Sequence, residues 1–221
     1  MYNGKFITFE GGEGCGKSTQ ATLLSQALRA HGAEVLETRE PGGTVGAERI
    51  REILLHKEYA WDGVTESLLV FAARRDHMEK KIKPAMREGL MVVCDRFIDS
   101  TMAYQGYARG LGELFIETLY SLTSAEVLPD LTILLDIPPE EGLKRAKNRM
   151  QTADTFEAQT LRFHEHVRAG FLSIAKTDPD RFLVLDAQEE VDMLHFQIVE
   201  AVNTRFGLQV KPYHTDKQHA N

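Results

Sequence analysis

The residues with the clearest chemical potential stand near the N-terminus. Gly11-Gly12-Glu13-Gly14-Cys15-Gly16-Lys17-Ser18 fits the spacing G-x-x-x-x-G-K-[ST], with Gly11, Gly16, Lys17 and Ser18 at the fixed positions. Glycines let the backbone wrap so that successive N–H groups point inward at phosphate oxygens. A helix beginning at the end of the loop adds the positive end of its dipole. Lys17 then reaches the β- and γ-phosphates of a nucleoside triphosphate, the Ser18 hydroxyl offers a hard ligand to Mg2+, and Thr19 closes the stretch.

A second group lies further along. The apolar run 90–94 ends in Asp95-Arg96-Phe97, and Ser100, Thr101, Tyr104, Gln105 and Arg109 follow closely. An arginine fork suits a phosphate, while an amide, a hydroxyl and a phenol suit a base and a sugar. A polar surface loop has a similar composition, and these residues are expected in loops.

Both groups need elements to hold them. Lys5–Glu10 reads as a strand leading straight into the glycine-rich turn. Residues 17–31 carry Ala21, Leu23, Leu24, Ala27 and Leu28 at helical spacing, which Gly32 ends. Further strands are expected at 34–38, 90–94, 131–135 and 182–185. Helices are expected at about 45–55, 66–88 (interrupted near Pro84), 111–123, 139–150, 156–176 and 191–206. The runs 90–94 and 131–135 lack polar alternation, as strands covered on both faces do.

Alternating strands and helices imply an α/β fold with a parallel sheet of about five strands and helices on both faces. Three strands end in aspartate (Asp95, Asp136 and Asp186), which crowds carboxylates at the edge where open α/β sheets bind ligands. One domain over 1–210 is expected, with 211–221 as a polar tail.

Composition narrows the classes. A chain of 221 residues with 43% hydrophobic content can bury one sizeable core. The charged fraction is 27% and the net charge −7, which argues against a general nucleic-acid binder but leaves room for a local cationic pocket. The two cysteines, Cys15 and Cys94, make no disulfide framework and read as small buried hydrophobes. No apolar run reaches membrane-spanning length and no leader pattern precedes the first strand, so a cytoplasmic location is expected. His164 and His166 stand two apart and do not share a helix face, no zinc spacing occurs, and His77 reads as structural.

Several segments in one order go beyond a generic phosphate loop. They are Phe9-Glu10-Gly11, Thr38-Arg39-Glu40-Pro41-Gly42-Gly43-Thr44, Ala47 with Ile50-Arg51, and Asp95-Arg96-Phe97 with Ser100-Thr101, Ala103-Tyr104-Gln105-Gly106 and Arg109-Gly110. Pro129-Asp130-Leu131-Thr132, Leu135-Asp136 and Gly142-Leu143-Lys144-Arg145-Ala146 complete the series. Over about 5–201 the chain resembles the thymidylate kinase family, bacterial type, whose enzymes phosphorylate dTMP with ATP.

The resemblance implies a P-loop nucleoside-monophosphate-kinase fold with a mobile lid at about 147–157, and a homodimer formed through the early helices. It implies ATP on Gly11 to Thr19 and Arg145, and Mg2+ near Ser18, Asp95 and Glu10. Arg96 and Arg51 are similar to the clamps on the dTMP phosphate, with Arg39 and Pro41 in the same region. Arg74 is similar to the arginine that reads the thymine edge, assisted by Ser100 and Gln105, and Tyr104 to the ring under deoxyribose, with Thr101 also in the implied dTMP-binding set. Lys17, Arg96, Asp95, Glu10 and a lid cation are the implied catalytic set.

Two positions depart from the family pattern. Val70 stands where a thymine-stacking phenylalanine is usual, so Phe71 supplies the stack or Phe97 or Tyr104 compensates. The lid reads Asp154-Thr155-Phe156-Glu157, with Thr155 in place of the usual arginine, which leaves Arg149 as the implied cation, with Arg145 and Lys147 nearby. Other readings are a different nucleoside or nucleoside-monophosphate kinase, or a nucleotide-gated binding module. The Asp95-Arg96 and Tyr104-Gln105 segments favour transfer, because a gated module needs no acceptor pocket.

Overall fold

In the computed structural model, residues 3–56, 58–124, 127–149, 156 and 159–213 are described. Strand β1 (Lys5–Glu10) leads through the glycine-rich turn into helix α1 (Lys17–Ala30), followed by β2 (Val35–Arg39), α2 (Val45–Leu55) and α3 (Gly63–His77). A π-helical turn, Met78–Ile82, joins α3 to α4 (Lys83–Glu88), and β3 (Met91–Asp95) follows. Then come α5 (Ile98–Thr101), a π-helical stretch Met102–Ala108, α6 (Glu113–Thr123), β4 (Leu131–Asp136), α7 (Pro139–Arg149), α8 (Leu161–Thr177), β5 (Phe182–Asp186) and α9 (Val191–Phe206).

Among the described residues the sheet has five parallel strands in the order β2-β3-β1-β4-β5. Because side chains alternate along a strand, Ile7 and Phe9 face one side of β1 and Phe6 the other. Ile7, Phe9, Val93, Ile133 and Leu135 pack with Leu24 and Leu28 of α1 and with Ile198 and Val202 of α9. Phe6, Val92 and Cys94 pack on the opposite side with Phe71, Met78 and Ile82. The central strands are thus covered twice, as their unbroken apolar runs require. Edge strand β5 is not, and Val184 stays 46% exposed.

The structure departs from the expected elements at three places. The break in the long helix of 63–88 is the π turn, which directly precedes Pro84 in the first turn of α4. Residues 98–108 are helical, although their polar composition reads as a loop. Here packing outweighs propensity, since Gly170 of α8 lies against the Tyr107 ring and a Cβ there would come within 3.0 Å of it. Helix α8 begins at Leu161 rather than near 156, because the Thr160 hydroxyl accepts from Phe163 N–H and caps it. The expectations about Asp154, Thr155, Glu157, the lid as a whole and the tail beyond Tyr213 lie outside the described residues.

Candidate active site

Among the described residues, three helices begin on a side-chain cap: Thr44 for α2, Asp62 for α3 and Thr160 for α8. Helix α1 does not. It starts at Gly16 (φ +94°) with no side-chain acceptor, so its first N–H groups stay open at the carboxyl edge of the sheet. Lys17 is buried there, and its Nζ donates to the carbonyls of Gly12 (2.7 Å) and Gly11 (3.2 Å). Ser18 and Thr19 are exposed, as a ligand contact demands. Cys15 is buried behind the loop. Gly14 (φ +68°) rests directly on α7: a Cβ there would stand 1.9 Å from the Gly142 carbonyl oxygen, and one on Gly142 would stand 2.3 Å from that of Glu13. Neither position admits a side chain.

β3 delivers Asp95 and Arg96 beside the loop. The Ser18 hydroxyl donates to Asp95 Oδ2 at 2.5 Å, while Asp95 Oδ1 is buried without a partner. A hydroxyl and an orphaned carboxylate oxygen form the hard oxygen donor set that Mg2+ takes, so these two residues fit the ion. Glu10 does not join them. It is fully buried, and its two oxygens accept from Phe97 N–H (2.7 Å) and the Ser100 hydroxyl (2.5 Å). Glu10 instead braces the turn behind Arg96, its strand position aiming it into the core.

Arg96 is the one non-glycine residue with positive φ (71°) among those described, a conformation that costs on the order of 1–2 kcal/mol. The turn is held by its own N–H to Phe9 C=O (2.9 Å) and by the Glu10–Phe97 bond. The guanidinium then reaches three ways. Nη1 donates to Gly11 C=O and to Ser100 Oγ, both at 3.2 Å, and Nη2 donates to Glu13 Oε1 at 2.8 Å. Its plane lies over the Tyr104 ring at 5.1 Å. The Tyr104 hydroxyl donates to the same Glu13 oxygen at 2.8 Å. Burial opposes charge on Glu13, but Arg96, Lys17 and the Tyr104 hydroxyl outweigh it and hold the carboxyl at about 2. Burial and the nearby Glu13 push the Tyr104 phenol well up.

Beside Arg96 opens a cleft with about 610 Å³ of empty space. Of the expected acceptor residues it brings together Pro41, Arg51, Arg74, Arg96, Ser100, Thr101, Tyr104 and Gln105. Arg51 Nη1 donates to Pro41 C=O at 2.9 Å. Arg74 is buried: Nε donates to Glu40 Oε2 (2.7 Å), Nη2 to Thr101 Oγ1 (2.9 Å), and Nη1 has no partner. Burial works against the Glu40 carboxylate, yet Arg74 and His77 lower its pKa. His77 is structural, bonded to Glu40 and to Thr38.

Two expected acceptor residues fall outside. Phe71 does not line the cleft: it is a core residue whose ring lies 5.1 Å from the Arg74 guanidinium, while Val70, one position earlier on α3, faces the space. Phe97 packs on Arg74 at the same distance and does line it. Arg39 pairs with Glu48 (3.1 Å) in a separate open groove that Thr38 also lines. Glu13, expected on the triphosphate side, also lines the cleft, its carboxylate bound by Arg96 and Tyr104. Arg145 donates to Ala187 C=O at 2.8 Å, beside the turn after β5. Arg149 ends α7.

Sequence reasoning missed Glu40, Glu66, Leu54 and Phe156. Leu54 and Phe156 line the cleft, the latter with its ring edge-on to Tyr104 at 5.6 Å. The buried Glu66 accepts from Gln105 and Arg109. A glutamate directly before Pro41, and one in the first turn of a helix, look like solvated acids; only burial marks them. Among the described residues no cluster of three or more His, Cys, Asp or Glu could hold a metal by itself.

Glu10 yields a pH prediction. Burial, then the charge on Asp99, raises its pKa from 4.5 to about 7, against the pull of Ser100 and Arg96. The folded state thus holds this proton more tightly than the unfolded chain. The stability it contributes is complete below pH 4.5 and is lost as pH rises through about 7. Glu10→Gln keeps an acceptor for Phe97 N–H, and its Tm should gain on the parent's between pH 5 and pH 8. Parallel Tm curves would show that Glu10 does not titrate this way.

A family model described as thymidylate kinase matches residues 9–198. A curated thymidylate kinase of Caulobacter vibrioides is 49% identical over 209 residues, 94% of this chain and 100% of its own. That of Magnetococcus marinus is 48% identical over 204 residues, covering 92% and 97%. The crystal structure of thymidylate kinase from Ehrlichia chaffeensis aligns with a TM-score of 0.73 at 36% identity, covering 90% of this chain and 99% of that one.

Proposed function

The chain belongs to the thymidylate kinase family, and from that premise we propose how its residues phosphorylate dTMP. It is an ATP-using nucleoside monophosphate kinase, a phosphotransferase whose reaction turns ATP and dTMP into ADP and dTDP. The open N-terminus of α1 and Lys17 bind the triphosphate. The cleft takes dTMP, with its phosphate toward Arg96 and Arg51 and its base toward Arg74 and Gln105.

One observation carries this reading: the Arg96 guanidinium touches the phosphate loop at Gly11 and the cleft at Ser100. A cation at that junction offsets the repulsion between two anionic substrates brought into line. A phosphate oxygen of dTMP attacks the γ-phosphorus, the bond from that phosphorus to the bridging oxygen breaks, and ADP leaves with the electron pair. The acceptor oxygen is already anionic, so no general base is needed. Lys17 and Arg96 stabilise charge on the transferring group. Ser18 and Asp95 would hold Mg2+, which supplies further neutralisation of the phosphates.

Tyr104, over which Arg96 lies, closes the sugar side of the cleft, and Phe156 buttresses it. A cytoplasmic location goes with soluble nucleotide substrates, and no described helix is long and apolar enough to cross a membrane. The reading also includes a homodimer. Helices α2, α3 and α6 carry exposed Ile53, Val64, Leu68, Leu114 and Leu122, apolar area that a second copy would cover.

The test is ADP release from ATP and Mg2+ with dTMP, dUMP, dCMP or AMP as acceptor. We expect dTMP to be used best. No turnover with any acceptor rules out the transfer, and a preference for AMP rules out the pyrimidine cleft.

A further inference from the structure

We infer that Glu66 is a positioning residue that fixes which way round the Gln105 amide faces the cleft, and thereby selects a thymine-type ring edge over a cytosine-type one. The inference rests on the cleft being the dTMP site. Glu66 stands in the first turn of α3 and is 2% exposed. Its Oε1 accepts from Gln105 Nε2 at 2.7 Å, and its Oε2 accepts from Arg109 Nη2 at 2.9 Å. Arg109 is itself braced, with its guanidinium 5.0 Å from the Phe163 ring centre.

An isolated glutamine presents either end of its amide, and only its partners decide the sense. A carboxylate paired with arginine accepts and does not donate, so Gln105 must turn its NH2 group to Glu66. Gln105 is 2% exposed and lines the cleft, so with Nε2 turned to Glu66 its Oε1 is the acceptor it presents to a ligand. Arg74 also lines the cleft, and its Nη1 is a buried donor with no partner. The cleft therefore offers one fixed acceptor and one fixed donor.

A pyrimidine with N–H at position 3 and a carbonyl at position 4 matches that pair. One with a bare N3 and an amino group at position 4 meets acceptor with acceptor and donor with donor, and leaves buried groups unpaired. Arg74 can only donate, so its half of the discrimination is inherent in the side chain. The half at Gln105 is conditional, and Glu66 supplies the condition.

Glu66→Gln makes the pair an amide against an amide, which can hydrogen-bond either way round. We expect the ratio of kcat/KM for dCMP over dTMP to rise about tenfold, Arg74 preserving the remainder. The ratio for dUMP over dTMP should not change, because the two share the same ring edge, and KM for ATP should not change. Glu66→Asp keeps an acceptor-only partner and should hold the dCMP ratio at the parent value even where KM for dTMP climbs. This second variant decides the matter alone if Glu66→Gln does not fold. An unchanged dCMP ratio in Glu66→Gln, or an equal rise in Glu66→Asp, overturns the inference. A parent enzyme that does not use dTMP would instead overturn the reading of the cleft.

Discussion

Replacing Arg96 by alanine should lower kcat/KM for dTMP by about a thousandfold, ~4 kcal/mol of transition-state stabilisation. The size follows from what the guanidinium joins. It is the cation that contacts Gly11 of the loop, Ser100 of the cleft and the Glu13 carboxylate together. Its loss removes a charged donor and also takes from Glu13 its ion-pair partner in a space meant for a phosphate. Lysine offers one point charge and no planar fork, so Arg96→Lys should recover only part of the activity. Arg96→Gly separates the backbone from the charge: it relieves the positive φ and should be more stable than Arg96→Ala while equally inactive. A loss smaller than about tenfold in Arg96→Ala would remove Arg96 from the transition state.

Arg74→Ala should bring the largest loss of stability, about 3–5 kcal/mol, the scale for breaking a buried ion pair by removing one partner. Arg74 and Glu40 side chains are each 2% exposed, so Glu40 would keep its charge in the core with only His77 beside it. The Thr101 bond and the packing between Phe71 and Phe97 go as well. For a domain of this size such a loss lowers Tm by about 10 °C. Adding Glu40→Gln should restore part of the loss, since the stranded charge disappears, and the two changes should not sum. A melt within about 2 °C of the parent would mean that this pair contributes little net stability. At temperatures where the variant stays folded, KM for dTMP should rise while KM for ATP holds.

The legible parts of this molecule are those written in neighbouring residues. The phosphate loop shows in its spacing, and the central strands show in apolar runs that end in aspartate. Direction is harder to read. Val70 and Phe71 are adjacent on one helix, and only the rotation of α3 against the sheet decides which one faces the cleft. Glu10 lies beside the loop in sequence yet spends both oxygens on the turn after β3, a partner more than eighty residues away. Glu66 gives no local sign at all, because its meaning comes from Gln105 and Arg109, which reach it from another helical segment.

The contact between Gly14 and Gly142 has a mechanical side. Two glycine backbones meet with no side chain between them, so nothing compliant separates the phosphate loop from the first turns of α7. That makes the contact a fulcrum. From Gly142 to the Cα of Arg149 the helix runs about 10 Å, at 1.5 Å per residue. A tilt of about 5° at the fulcrum sweeps that end through about 1 Å, which is enough to make or break a hydrogen bond. The smallest residues in the loop thus set the leverage of the helix that leads toward Phe156.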